Sequence, residues 1–266
     1  MIGLVGIPYD EKSSFLKGPA KAPPLIREAL ASDSANLFAE NGVRIDESIY
    51  EDLGDLQVSE YFDIESHLNK LLSANNRIVS LGGDHSITFP VMRAFAEHHE
   101  RFDIVHIDAH GDLYQEFEGD PYSHACPFAR IMEEDLADRL IQLGIRTLND
   151  HQREQADRYN VEVVEMKFFE NDKLPELTKP VYLSLDLDGL DPTFAPGVSH
   201  HEPGGFSTRQ VIEIIHRINV PIIGADIVEY NPTRDINGVT SMVAAKLLRE
   251  IMGHMSMNLL PLGHLK

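Results

Sequence analysis

The stretch from residue 181 to residue 192 constrains the fold of this chain more than any other. An apolar, β-favouring run leads to Asp186 and, two residues later, to Asp188, and Gly189 then begins a turn signal. Residues two apart on a strand point to the same side, so the two aspartates should lie side by side at the strand's end. Adjacent carboxylates repel, and one of them keeps a proton unless something positive lies between them. The stretch therefore predicts a strand whose end needs a cation.

Two more segments repeat this pattern. A second apolar run ends in Asp108, His110 and Asp112, again with two-residue spacing. A third run, at 77–81, enters a Gly-Gly turn that leads to His85. Each motif alone is a weak signal, because single acids at strand ends are usually cap or turn residues. The three motifs together, each placed after a strand, indicate one shared site.

Composition narrows the class of partner. With 23 Lys and Arg against 43 Asp and Glu, the 266 residues carry a formal net charge of −20. Such a surface repels phosphate, so we exclude nucleic acid and anionic membranes as partners and expect cations to be attracted. Cys126 is the one cysteine in the sequence, which rules out an internal disulfide and fits a reducing compartment.

The sequence shows no sign of a membrane span or a targeting signal. No apolar run approaches the length of a membrane span, and the chain opens on a buried-strand pattern without a basic leader. We therefore expect a cytoplasmic protein without a targeting segment.

Strand and helix patterns alternate along the chain. We predict strands at 1–7, 77–81, 104–107, 140–144, 161–164, 181–185 and 220–227, and helices at 23–30, 63–74, 88–98, 127–134, 152–159, 207–217 and 239–252. This order predicts one α/β domain over residues 1–266, with a mainly parallel sheet and helices on both faces. Ligands of such folds bind beyond the carboxyl ends of the strands, where every motif above lies.

The side chains at these strand ends fit a pair of metal ions. The six donors are His85, Asp108, His110, Asp112, Asp186 and Asp188. Four carboxylates would neutralise two divalent cations, and oxygen donors mixed with imidazole suit Mn²⁺, with Fe, Co, Ni or Zn as alternatives and Mg²⁺ as a poorer fit. Six side chains fill two sites only if some carboxylates bridge, which holds the metals about 3.5–4 Å apart. A water between two such metals loses a proton near neutral pH and becomes a nucleophile.

These motifs resemble those of the ureohydrolases, the family of arginases and agmatinases. The matching motifs are Gly-Gly-Asp-His-Ser at 82–86, Asp-Ala-His-Gly-Asp at 108–112 and Ser-Leu-Asp-Leu-Asp-Gly-Leu-Asp-Pro at 184–192. Further stretches look closest to plant-type arginases: 13–20, 117–119, 122–125, 128–133, 197–205 and 224–232. The resemblance implies a three-layer α/β/α fold, two Mn²⁺ per subunit, hydrolysis of a guanidino group to urea and an amine, and a homotrimer or homohexamer.

The resemblance also implies a role for each site residue. His85 and Asp112 would bind one manganese ion, His110 and Asp188 the other, and Asp108 and Asp186 would bridge. Glu229 would bind the substrate's guanidinium, a planar cation that pairs well with a carboxylate. His124 would move protons, including one to the leaving amine. His200 is a further candidate for the wall of the substrate pocket.

The substrate is less constrained than the reaction. Most of the matched stretches favour arginase, which converts L-arginine to ornithine and urea. The loop at 113–119 differs from the one by which animal arginases hold the α-carboxylate, and Gly111 stands where Ser or Thr is common. Agmatinase, or another guanidino-acid hydrolase, is therefore the alternative. A metal-dependent deacetylase and a non-catalytic binding protein are less consistent with a complete set of metal donors.

Several neighbouring residues have simpler structural interpretations. Asp84 and Asp191 are expected in turns or as supports of the metal ligands, His106 in the core with its hydrogen bonds satisfied, and Cys126 as a small buried residue. The acids of the polar loop are expected on a solvated surface: Glu116, Glu118 and Asp120.

Overall fold

The three motif-bearing strands lie at the centre of one parallel sheet. The computed structural model describes residues 1–75, 77–170 and 174–257. Its strands are β1 (Ile2–Gly6), β2 (Tyr50–Asp55), β3 (Ile78–Leu81), β4 (Asp103–Ile107), β5 (Arg139–Ile145), β6 (Glu162–Glu165), β7 (Val181–Asp186) and β8 (Ile222–Val228). Over these described residues the sheet has eight strands in the order β2-β1-β3-β8-β7-β4-β5-β6. Each pairing is parallel, so the carboxyl ends of β3, β8, β7 and β4 meet at one edge.

Helices cover both faces of the sheet. They are α1 (Ala22–Leu30), α2 (Asp63–Ala74), α3 (Thr88–His98), α4 (Pro127–Glu133), α5 (Asp150–Arg158), α6 (Thr208–Arg217) and α7 (Val239–Met257). Strand side chains alternate between two apolar clusters: Val105 and Ile107 pack on the side of α1, α6 and α7, and Ile104 on the side of α2 to α5. The result is the predicted single α/β domain of three layers. That this domain extends over all of 1–266 stays a prediction.

Local sequence signals fix several helix starts. The Ser207 side chain accepts a hydrogen bond from the Gln210 backbone, and the Gln210 side chain completes a capping box. Prolines occupy the first turn of α1, and Asn149 caps α5 through the backbone N–H of Gln152. Every predicted strand and helix is confirmed; α2 and α3 match their predicted ends, and the ends of the others differ by at most five residues.

Strand β2 is the element that the hydropathy pattern does not predict. Its sequence, Tyr-Glu-Asp-Leu-Gly-Asp, contains no apolar run, and its side chains are mostly exposed. It pairs with β1 alone and forms one edge of the sheet. An edge strand buries little and is protected by charges, so its alternation is weak. Within the described ranges, no helix is both long and apolar enough to cross a membrane.

Candidate metal centre

Three strands of the central group, β3, β7 and β4, bring the predicted donors to one place. Asp186 is the last residue of β7, and Asp188 lies in the 3₁₀ turn that follows. Asp108 follows β4 directly, and His85 begins the short turn after β3. Because these strands belong to one group of adjacent, parallel strands, their carboxyl ends converge, as the sequence predicts.

His85 faces three carboxylates. Its Nδ1 lies 3.2 Å from Asp108 Oδ2, 3.2 Å from Asp112 Oδ2 and 3.0 Å from Asp186 Oδ2. Burial lowers the pKa of His85, but the three carboxylates raise it by more, to well above its ordinary value. The three carboxylates thus surround Nδ1 with negative charge, and a cation would be well placed there.

Asp108 lies between two histidines. Its Oδ2 faces His85, whereas its Oδ1 lies 3.4 Å from Nδ1 of His110. The same His110 nitrogen is 3.1 Å from Asp188 Oδ2. Asp108, His110 and Asp188 have ligand atoms close enough to hold one metal ion, as do Asp108, His85 and His106. A carboxylate with one oxygen toward each histidine has the arrangement that a bridging ligand needs.

The buried acids at this edge are electrostatically unfavourable without a counter-charge. Burial, followed by the charges of Asp188 and Asp108, raises the pKa of Asp186 well above its ordinary value. The pKa of Asp188 is raised to about 6, again mainly by burial. The repulsion expected from the two-residue spacing is therefore present. The residues fit divalent cations, because positive charge between the carboxylates would remove this cost.

Glu229 and His124 form a second buried pair beside these acids. Glu229 follows β8, accepts a 2.9 Å hydrogen bond from the backbone N–H of His85, and has Oε1 2.8 Å from His124 Nδ1. Its other oxygen, Oε2, is buried and has no hydrogen-bond partner among the residues described. Glu229 also adopts a left-handed backbone conformation, with φ of 63°, as does Asp112 with φ of 47°. Non-glycine residues rarely do so, and such strain is concentrated at functional sites.

His124 is held from both sides. Burial lowers its pKa, but the charge and hydrogen bond of Glu229 raise it to about 9. On the other side, Ser14 Oγ lies 2.8 Å from Nε2, and the Ser14 backbone N–H approaches the same nitrogen at 3.2 Å. The backbone contact favours the neutral ring, whereas Glu229 favours the protonated ring and has the larger effect.

These groups share one cavity of about 200 Å³. Its wall is formed by Ser14, His110, Asp112, Tyr114, Phe117, His124, Ala125, Thr147, Gln152, Asp186, Asp188, His200, Glu202 and Glu229. No lysine or arginine lines it in the part of the chain that the structure describes. The cavity is therefore suited to a cation.

His200, a candidate for the pocket wall, lies in the lining of the cavity. It is half-buried in the cavity wall, and its ring centroid is 5.5 Å from that of His124 and 5.5 Å from that of Phe15. The neighbouring His201 is exposed and contacts the carbonyl of Pro196.

The simpler structural interpretations are confirmed. Asp84 caps the turn after β3, and Asp191 accepts hydrogen bonds from the backbone of Thr193 and Gly204. Cys126 is fully buried. His106 is also fully buried and contacts the Asp108 carboxylate and the Gln142 amide. In the polar loop, Glu116 and Glu118 are exposed, and Asp120 pairs with Lys12 at 2.8 Å.

Sequence reasoning missed part of the cavity wall, which is supplied by loops and by the first turn of α5: Ser14, Tyr114, Thr147 and Glu202 from loops, and Gln152 from the helix. No periodic pattern marks these residues. Gly111 offers a partial signal, because a Cβ there would lie 2.8 Å from Gln152 Oε1. The glycine therefore makes room for the Gln152 side chain.

Comparison with known proteins identifies the family. The Arginase family model matches residues 1–253. The mitochondrial arginase 1 of Arabidopsis thaliana is 48% identical, over 95% of this chain and 80% of the relative. The chain belongs to the arginase family. It is a hydrolase that acts on guanidino compounds.

Two further relatives of this arginase-family chain differ in the substrate for which they are named. The solved structure of arginase from Medicago truncatula has a TM-score of 0.89 and 44% identity, covering 96% of this chain and 87% of that one. The N(1)-aminopropylagmatine ureohydrolase of Thermus thermophilus is 35% identical, over 93% of this chain and 87% of the relative. The resemblance to plant arginases is confirmed, and relatives with other guanidino substrates share the fold.

The expected cytoplasmic location is wrong. The similar arginases of Arabidopsis thaliana and Medicago truncatula are both named mitochondrial. The expectation depended on a single cysteine and on signals that were not seen. A single cysteine excludes an internal disulfide but does not distinguish the cytoplasm from the interior of an organelle.

Proposed function

We propose that the protein is an arginase that hydrolyses L-arginine to ornithine and urea with two Mn²⁺ ions per subunit. One observation carries the guanidino part of the proposal: Glu229 has a buried, unpaired oxygen in a cavity beside the histidine–aspartate cluster. The choice of arginine is supported by plant relatives, named arginases, at 45–48% identity. A homotrimer or homohexamer is part of the proposal, and light scattering of the purified protein tests it.

The proposed ligands are the six residues predicted from the sequence. His85 and Asp112 would hold one metal ion, His110 and Asp188 the other, with Asp108 and Asp186 shared. When bound, such ions lower the pKa of a coordinated water and so supply a nucleophile at neutral pH. The buried, mutually repelling acids and the three carboxylate oxygens that surround His85 Nδ1 support this assignment.

The other side chains would bind the substrate and move a proton. Glu229 Oε2 accepts N–H bonds from the planar guanidinium and holds its carbon beside the metal ligands. Attack of water breaks one C–N bond, and the departing nitrogen must gain a proton to leave as an amine. His124, protonated at neutral pH through its contact with Glu229, is placed to donate that proton.

Agmatine is the second candidate, and one observation favours it. The charged side chains in the cavity wall are acids and histidines, with no lysine or arginine among those described, so neither of these two residue types faces an α-carboxylate. Arginine instead requires neutral donors, such as Tyr114 and Gln152. Agmatine ends in an ammonium group and needs none.

A panel assay separates these candidates. Urea release would be measured from arginine, agmatine, guanidinobutyrate and guanidinopropionate, with Mn²⁺ and after chelation. We expect manganese-dependent urea with the highest kcat/KM on arginine. A higher kcat/KM on agmatine would replace arginase by agmatinase, and silence on all four compounds with two metals bound would reject guanidino hydrolysis in this set.

A further inference from the structure

A column of buried hydrogen bonds connects His85 to a carboxylate that contacts no metal donor directly. His85 Nε2 lies 3.0 Å from Ser184 Oγ, and Ser184 Oγ donates a 2.7 Å hydrogen bond to Asp226 Oδ1. All three side chains are 0–1% exposed. Ser184 is in β7 and Asp226 in β8, so the sheet itself holds the column in place.

Asp226 sets the direction of every bond in this column. Its Oδ2 accepts hydrogen bonds from Thr88 Oγ1 at 2.9 Å and from Tyr182 OH at 3.0 Å. Burial raises the pKa of Asp226, and His85 together with the three hydroxyl donors opposes that shift. Because Ser184 gives its only proton to Asp226, its oxygen must accept the proton of His85 Nε2. The imidazole then has to offer its other nitrogen, Nδ1, to a cation.

We propose that Asp226, acting through Ser184, is a positioning residue that fixes the tautomer of His85 and so prepares Nδ1 to bind a metal ion. This inference rests on the proposed metal centre. Nδ1 is the atom that faces Asp108, Asp112 and Asp186. A carboxylate placed behind a ligating histidine has this effect in metal sites generally, and its loss costs about 10–100-fold in metal affinity.

Replacing the carboxylate by an amide should reverse the column. In Asp226→Asn, with Thr88 and Tyr182 donating as they do to the carboxylate, the amide oxygen faces them and the amide NH₂ faces Ser184. Ser184 then accepts from the amide and donates its proton to His85 Nε2. The ring must carry its proton on Nδ1, where the metal should bind. In another hydrolase, an amide in place of the carboxylate behind a histidine gives the wrong tautomer and lowers kcat about 10⁴-fold.

The test is a Mn²⁺ titration of metal-free protein, with calorimetry for affinity and elemental analysis for stoichiometry. We expect two sites in the wild type and a loss of about 10–100-fold in affinity at one of them in Asp226→Asn. Ser184→Ala should weaken the same site by less. The double variant should bind Mn²⁺ better than Asp226→Asn alone, because it lacks the Ser184 hydroxyl that would otherwise donate to His85 Nε2.

The controls separate this role from a loss of structure. Glu250→Gln changes a carboxylate that is equally buried and contacts His216 and Lys246, so it should keep wild-type affinity at both sites. Thermal unfolding in chelator compares the folds. If Asp226→Asn does not fold, the Mn²⁺ affinity of Ser184→Ala decides. Weaker binding at one site supports the inference, and unchanged binding at both sites contradicts it.

Three results overturn the inference without touching the proposed metal centre. The first is wild-type affinity for Mn²⁺ in Asp226→Asn. The second is wild-type affinity in Ser184→Ala when Asp226→Asn does not fold. The third is a double variant that binds Mn²⁺ no better than Asp226→Asn. In each of these cases, a wild type that binds two Mn²⁺ leaves the proposed function standing. A wild type that binds no Mn²⁺ overturns the metal centre of the proposed function, and this inference falls with it.

Discussion

The two ends of the cavity are built differently. At the inner end, the side chains follow the strands at the centre of the sheet and are almost fully buried, as the lining residues Asp186 and Glu229 are. Asp108, equally buried, stands behind this end and contacts the lining residue His110. At the outer end, Tyr114 and Glu202 come from loops and are partly exposed. Strand ends are held by the sheet, whereas loops tolerate change. The inner end therefore defines the reaction, and the outer end can adapt to different substrate tails.

The largest effect should come from the inner end. Asp108→Asn removes the carboxylate shared by the two histidine sites, and kcat/KM should fall by about 10²–10³-fold on arginine and agmatine alike. The two substrates should be affected equally because the change lies away from their tails. Steady-state urea assays measure this, with Glu116→Gln in the exposed loop as the control. A loss confined to one substrate would break the distinction between the two ends.

Glu229→Gln should rank second. A guanidinium that loses its buried carboxylate partner loses roughly 2–4 kcal/mol, so kcat/KM should fall by roughly 30–1000-fold on every guanidino substrate. The matched control is Glu202→Gln, which removes the same charge at the outer end. Equal losses in the two variants would show that depth in the cavity does not matter.

The same variant should change how stability depends on pH. The pKa of His124 is raised above its ordinary value, to about 9, so its pairing with Glu229 stabilises the fold fully below the ordinary histidine pKa. That contribution is lost as pH rises through about 9. In Glu229→Gln the pKa of His124 should fall, because burial then acts unopposed by that charge. Thermal unfolding of the metal-free proteins between pH 6 and pH 10 should show that the variant lacks this pH-dependent part of the stability. The same pH dependence in variant and wild type would argue against the pairing of His124 with Glu229.

The smallest effect should appear at the outer end. Glu202→Gln removes a partly exposed charge, worth at most about 1 kcal/mol, so the ratio of kcat/KM on agmatine to that on arginine should fall by no more than about fivefold. Agmatine should suffer more because its tail is purely cationic. Glu118→Gln, on an exposed loop, should leave the ratio unchanged. A change larger than tenfold would mean that the outer end is as well organised as the inner one.

The sequence predicts the inner end because strand geometry is periodic. Polar residues at every second position after an apolar run are expected on one side of the strand's end, so the grouping of Asp108, Asp186 and Asp188 follows from spacing. His85 follows instead from the Gly-Gly turn after a third strand. Glu229 needed the family resemblance, because a single acid after a strand is unremarkable. Ser184 and Asp226 do carry a sequence signal of a buried polar contact, because each is a polar residue inside a mostly apolar strand.

The rest of the fold and site could not be predicted, for physical reasons. Strand β2 buries few side chains, so its sequence lacks the alternation that identifies a strand. Glu202 reaches the cavity from a loop and Gln152 from the first turn of α5, and both placements depend on contacts between distant segments of the chain. Ser14, for example, meets His124 across 110 residues of sequence.

The central claim is that two metal ions share Asp108 at the inner end of the cavity. The most direct measurement is the electron paramagnetic resonance spectrum of the protein loaded with two equivalents of Mn²⁺. Ions held about 3.5–4 Å apart should be exchange-coupled, and the six-line spectrum of isolated Mn²⁺ should be absent. Two bound ions that give only the isolated spectrum would contradict the shared site.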